Sequence, residues 1–146
     1  MKRIRIPPPL LFIACAALMG CLPPVYVFSV PVWWVFIILL LAAGIAVAGL
    51  GQFYRSGTTI SPISLEKSSV LVTNGVYAFS RNPMYLSLLL ILIAWFLWLG
   101  ALSAVIGLPL FVLLMNYLQI KPEENMLNNL FGEAYRAYCR KVRRWL

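Results

Sequence analysis

The sequence predicts an all-α integral membrane protein, with four transmembrane helices and a cytoplasmic amphipathic C-terminal helix. Three observations lead there. The chain is 62% hydrophobic and only 11% charged, with a mean hydropathy of +0.89, whereas a soluble domain carries about 25% charged residues. Two stretches hold no charge at all, Ile6 to Tyr54 (49 residues) and Asn82 to Ile120 (39 residues). A single pass needs about 20 apolar residues, so each stretch is long enough for two. Finally, the charges fall into three segments: Lys2, Arg3 and Arg5; Arg55 to Arg81; and Lys121 to Arg144. Four passes place all three on one side, which the positive-inside rule makes cytoplasmic, both termini included. The 146 residues suit a single domain spanning 1–146.

Each element follows in order. The first pass is expected at about 9–28 and the second at about 32–53, separated by Pro23-Pro24 through Pro31. Lys2-Arg3-Ile4-Arg5, an apolar run and Leu18-Met19-Gly20-Cys21 look like a signal peptide with a lipobox. Met19 is unusual there and the apolar sequence resumes after Pro24, so the expectation is an uncleaved first helix. Leu71-Val72-Thr73-Asn74-Gly75-Val76-Tyr77 reads as a short β-like run with an Asn-Gly turn. Asn82 is then a natural N-cap, and Pro83 sits at the first helical position, where its missing N–H costs nothing. The third pass is expected at about 84–99 and the fourth at about 101–120, with the break at Trp98-Leu99-Gly100. Both are short and should stand upright. Lys121-Pro122-Glu123-Glu124 opens a further helix. Its apolar positions Leu127, Leu130, Phe131, Tyr135, Tyr138 and Val142 recur at helical spacing, interrupted at Phe131-Gly132. Arg136, Arg140, Lys141, Arg143 and Arg144 fall on other faces, which describes an interfacial amphipathic helix.

The composition also excludes chemistry. With no His and no Asp, a Ser-His-Asp triad, a His-ligated zinc or haem and an aspartyl dyad are all ruled out, and no metal is expected. Cys15, Cys21 and Cys139 form no C-x-x-C pair and read as buried free thiols. A net charge of +8 points to the anionic bilayer surface as partner and not to nucleic acid.

What remains is a pair of poles. The helix start at Asn82-Pro83 offers first-turn amides and the positive end of a helix dipole, a place for an anion. Its bland alternative is a well-capped helix with Arg81 snorkelling to phosphate. Glu123-Glu124 either complements a dipole or binds a cation. Residues 84 and 120 bound a helical hairpin whose ends return to one membrane face, so the two poles should be neighbours. A zwitterion with an added positive centre fits, with Tyr77 and Tyr85 available for cation–π contact. S-adenosylmethionine has that pattern: carboxylate, ammonium and sulfonium.

The run Leu71 to Tyr85, with Gly75-Val76-Tyr77 and Arg81-Asn82-Pro83-Met84-Tyr85, resembles the G-x-Y…R-[H/N]-P-x-Y signature of the isoprenylcysteine carboxyl methyltransferase family. Glu123-Glu124…Leu127…Phe131-Gly132-Glu133-Ala134-Tyr135…Tyr138 is similar to that family's E-E…L…F-G-x-x-Y…Y segment. The resemblance covers about residues 64–146. It implies a multi-pass methyltransferase, of the bacterial inner membrane in this case, with cofactor-site segments at about 69–85 and 119–146. It also implies S-adenosylmethionine as cofactor and a lipophilic acceptor (carboxylate, thiol or amine) entering from the bilayer. By position, the cofactor contacts would be Ser69, Val70, Leu71, Val72, Tyr77, Asn82, Pro83, Met84, Tyr85 and Glu123. Related proteins include phospholipid N-methyltransferases and, more distantly, membrane sterol reductases. An NADPH-dependent reductase and a non-enzymatic membrane protein therefore stand as the alternatives. Two positions depart from the prenylcysteine pattern. Asn82 stands where His is usual, and Gln119 stands where an Arg holds the substrate carboxylate. Lys121 and Arg81 join Gln119 as candidate acceptor contacts. The resemblance assigns no catalytic side chain, since displacement at a sulfonium methyl needs no metal and, for a carboxylate or thiolate acceptor, no base.

Overall fold

Helices account for nearly all of the architecture of the computed structural model, which describes residues 6–56 and 70–146. α1 (Pro8–Cys21) opens on prolines, which bring no N–H to a turn that has no carbonyl for it. It closes where Leu22, preceding Pro23-Pro24, turns extended with ψ 139. The first helix therefore ends at Cys21 and not near residue 28. Its buried positions Leu11, Cys15 and Met19 are spaced i, i+4, i+8, a single stripe. α2 (Val32–Ser56) is apolar all round, and most of its large side chains are exposed. That is the signature of a helix solvated by something other than water. α3 (Pro83–Leu99) ends at Gly100, whose φ of 60 gives the left-handed cap that only glycine adopts readily.

A 3₁₀ turn, Leu102–Ile106, then leads into α4 (Gly107–Met115). Five residues of π-helix (Asn116–Ile120) join α4 directly to α5 (Lys121–Phe131). There is no break at Lys121. The wide π turn precedes Pro122, whose missing N–H would otherwise leave a carbonyl of the previous turn without its donor. The expected break at Phe131-Gly132 is present: Gly132, with φ 51 and ψ −120, separates α5 from α6 (Glu133–Lys141). Among the described residues, two helices are long and apolar enough to cross a membrane, Val32–Gln52 and the continuous Leu102–Phe131; Pro8–Cys21 and Pro83–Leu99 are shorter apolar helices.

α2 packs along α3, and α1 packs against α3 and α4. The main core joins Leu11, Cys15 and Met19 to Leu92, Ala104, Phe111, Met115 and Ile120. At one end the two uncharged turns meet. Phe28 N–H donates to Gly100 O at 2.7 Å, Leu102 N–H donates to Val25 O at 3.1 Å, and Ser103 Oγ donates to Pro23 O at 2.8 Å. At the other end a second cluster gathers Tyr135, Tyr138 and Val142 with Leu71, Leu127, Phe131 and Cys139. Two expectations are corrected here. Leu71 to Tyr77 forms no strand: residues 71–73 lack regular structure, and Gly75, at φ 63, opens a 3₁₀ turn over Gly75–Ala78. Of the three cysteines, all free, Cys15 is buried, Cys21 is exposed and Cys139 is half-buried.

Candidate functional site

A cavity of about 490 Å³ opens at the charged end of the helices, bounded by the start of α3, the segment 70–72, α5 and α6. That volume lies within the roughly 300–1,000 Å³ usual for small-molecule sites. Val70, Leu71, Val72, Tyr77, Asn82, Pro83, Met84, Tyr85 and Glu123 all line it. Ser69 falls outside the described residues. The two sequence motifs, separated by a full hairpin in the chain, thus share one space.

Local physics places each group. Pro83 starts α3, and Tyr85 lies in its first turn, pointing back toward α5. Its hydroxyl donates to Glu123 Oε1 at 2.6 Å. The neighbouring Glu124 has different partners. Arg144 grips it in a fork, Nε to Oε1 at 3.0 Å and Nη2 to Oε2 at 2.7 Å, and Arg81 Nη1 reaches Oε1 at 3.0 Å. The hydrogen bond and charge of Glu124 push the Arg144 guanidinium above its ordinary value. Arg81 Nη1 also donates to Cys139 Sγ at 2.7 Å, while its buried Nε has no hydrogen-bond partner among the described residues.

The phenols form the apolar side. Tyr138 Oη donates to Tyr77 O at 2.6 Å, tying α6 to the 3₁₀ turn. Burial pushes the Tyr138 phenol up to about 12. Tyr77 and Tyr135 are also raised, first by burial, with the charges of Tyr138 and Glu123 adding at Tyr77. All three are neutral donors at physiological pH.

Some sequence-predicted roles move. Asn82 occupies the N-cap position but makes no side-chain capping bond; its Nδ2 donates to Arg144 O at 2.9 Å. Gln119 is buried on α1's side, with Nε2 donating to Ile6 O. Lys121 is exposed, its Nζ 3.9 Å from the Tyr117 ring centroid. Neither lines the cavity, so of the three acceptor candidates only Arg81 does. Glu133 stands on the outer face between Arg136 and Arg140, and these lower its pKa, the Arg140 hydrogen bond first.

Sequence reasoning missed Pro8 and Pro9 of α1, Ala46 of α2, and Ser87 and Leu88 of α3, all on the cavity wall. A signal for Ala46 existed. Ala42, Ala46 and Gly49 are small residues at i, i+4, i+7, the spacing that lets one apolar helix approach another closely. The prolines carried none beyond their place in the first turn.

The lining suits a ligand with one anionic end, one cationic end and an apolar ring. Arg81 and the start of α3 form the positive pole, Glu123 the negative one, and Leu127, Phe131, Tyr135 and Tyr138 the apolar wall.

Residues 30–134 match the family model described as phospholipid methyltransferase. The chain is 57% identical over 63 residues to an uncharacterized protein of Haemophilus influenzae, covering 43% of this chain and 100% of that one. It is 30% identical over 109 residues to a protein-S-isoprenylcysteine O-methyltransferase of Schizosaccharomyces pombe, covering 64% of this chain and 43% of that one. It is 31% identical over 115 residues to the protein of the same name in Tribolium castaneum, covering 68% and 38% respectively. The chain therefore spans less than half the length of these two methyltransferases. No solved structure matches. The family match takes in the first motif whole and the second as far as Ala134: the chain belongs to the phospholipid methyltransferase family and is related to the isoprenylcysteine carboxyl methyltransferases.

Proposed function

We propose that the chain is an S-adenosylmethionine-dependent methyltransferase acting on a lipophilic, membrane-embedded acceptor that carries a carboxylate, thiol or amine. The observation that carries this reading is the convergence of Glu123, Tyr85 and the start of α3 on one cavity with an apolar wall. In it, Glu123, oriented by the Tyr85 hydroxyl, takes the ammonium of the cofactor. The first turn of α3 takes the carboxylate, with Arg81 adding positive charge. Val70 to Val72, Tyr77 and the α6 phenols enclose the remainder and keep water out. The bound cofactor supplies a methyl group on a sulfonium, whose departure as a neutral thioether makes alignment the main task of the protein. Fixed alignment in a dry site is worth several kcal/mol, up to about 7–11 in favourable cases. With no His or Asp in the chain, this is chemistry that its residue types can serve.

The same proposal sets the topology. Four apolar helices cross the membrane, the cavity and both termini lie on the cytoplasmic face, and the paired turns lie outside. The charge distribution supports that arrangement, as does the gathering of the two uncharged turns at the end opposite the cavity.

Equilibrium binding of radiolabelled S-adenosylmethionine to the purified protein in detergent, with NADPH as competitor, tests the reading. Micromolar-range binding indifferent to NADPH is expected. Glu123→Gln should weaken it by tenfold or more, as expected for losing a charged hydrogen bond of about 1.5–3 kcal/mol. Binding of NADPH in place of S-adenosylmethionine would mean a reductase; binding of neither, a non-enzymatic protein.

A further inference from the structure

We infer that the segment following α6 is a working part of this site, with Arg144 a positioning residue acting through Glu124. The inference rests on the cofactor assignment above and adds to it a group that neither motif contains.

A segment outside regular structure keeps one conformation only where something ties it down. After α6 the backbone turns extended at Val142, and the next three residues bond to three separate elements. Arg143 O accepts from Arg81 N–H at 3.0 Å. Arg144 O accepts from Asn82 Nδ2 at 2.9 Å, and the Arg144 guanidinium holds Glu124. Trp145 Nε1 donates to Asn116 Oδ1 at 3.1 Å, on the π segment beneath α5. Two of these ties land on Arg81 and Asn82, the residues that lead into α3 at the positive pole.

The electrostatics give the strap a role beyond fixing the fold. Consecutive helical residues point about 100° apart, so the adjacent glutamates face different partners. Glu124 sits between two arginines, its side chain 19% exposed against 14% for Arg81 and 33% for Arg144. Glu123 meets the Tyr85 hydroxyl. Arg81, Arg144 and Glu124 together leave one net positive charge beside the start of α3, in a partly desolvated setting where Coulomb terms are less screened. Without Arg144 that balance falls to zero and Arg81 is drawn wholly onto Glu124. The pole offered to a ligand carboxylate is lost, while the negative pole at Glu123 persists.

A purely structural strap would not distinguish ligands by their charge, and this sets the experiment. Arg144→Ala and Arg144→Lys are titrated in detergent against S-adenosylmethionine and its decarboxylated analogue, which keeps the ammonium and sulfonium. Thermal stability is measured alongside. For Arg144→Ala, the Kd for S-adenosylmethionine should rise about tenfold and that for the decarboxylated analogue should change by less than about twofold. Arg144→Lys keeps the charge but loses the fork; it should fall between, and it serves if the alanine variant does not fold. Millimolar guanidinium should partly restore the alanine variant. Equal losses for both ligands would make the strap structural only and overturn the inference, as would unchanged binding of both. Wild-type protein that binds neither ligand overturns the cofactor assignment as well, so the two failures are told apart.

Discussion

Asn82 is a residue of two uses, and its neighbours decide between them. The sequence Asn-Pro at a helix start predicts a side-chain cap, because Asn accepts well from first-turn amides. Only the fold reveals that Arg144 O, sixty-two residues further on, lies 2.9 Å from Nδ2, a contact no local pattern encodes. A capping role would make Asn82→Asp harmless to stability. The observed bond requires a donor, and Asp has none, so its carboxylate would face a carbonyl. Asn82→Asp should therefore melt below both wild type and Asn82→Ala, with the alanine variant losing about 0.5–1.5 kcal/mol; differential scanning fluorimetry in detergent checks the order. Glu123 and Tyr85 were legible for the opposite reason, since each sits inside a motif. A second expectation at this scale concerns pH. The Tyr138 phenol is raised from 10.0 to about 12 by burial, so the folded state favours its neutral form. Its contribution is complete below pH 10 and is lost as the pH climbs through about 12. Melting temperature should fall across that window with phenolate absorbance rising in step, and Tyr138→Phe, which cannot ionise, should flatten that part of the profile while losing the bond to Tyr77 O.

Among the elements, prolines and glycines punctuate the chain, but where each one stops a helix depends on the turn it sits in. Pro23-Pro24 stops α1 early because the residue before a proline is pushed out of the helical region. Pro122, by contrast, stops nothing, because the π turn ahead of it removes the conflict. The Leu71 to Tyr77 run has β-like composition, yet Leu71 packs against the tyrosines of α6, and no strand neighbours it among the described residues. Alternation tells that a segment has an inner face; it does not say what covers that face. Gly100 carries the clearest element-scale prediction. Its φ is 60, and a Cβ there would run into the Phe28 carbonyl, at the seam where the two uncharged turns meet. Gly100→Ala should cost at least about 1–2 kcal/mol, seen as a lower melting temperature, while leaving the Kd for S-adenosylmethionine in the surviving folded protein unchanged, because the cavity is at the far end.

At the scale of the whole molecule, composition is enough to read a chain that is helical, with no named strand, among the described residues, because it is a sum over many residues. The shape of the cavity was not readable, since walls such as Ala46 come from helices whose apolar residues all look alike. Orientation can be checked with single cysteines in a background lacking the native three. Tyr26→Cys, in an uncharged turn, should react with a membrane-impermeant thiol reagent added outside intact cells. Arg140→Cys should react only after permeabilisation, and labelling of both from the same side would end the four-pass arrangement. From Leu102 to Phe131 the helical segments follow one another without a gap, so the apolar part of this rod and the carboxylate of Glu123 belong to one continuous element. The start of α3 belongs to a different rod, of only 17 residues. Lipid thickness tilts long and short rods by different amounts, which makes the gap between Glu123 and the α3 terminus a gauge of the surrounding bilayer. Reconstituted into vesicles of graded acyl-chain length, the protein should bind its cofactor best at one thickness and more weakly on either side.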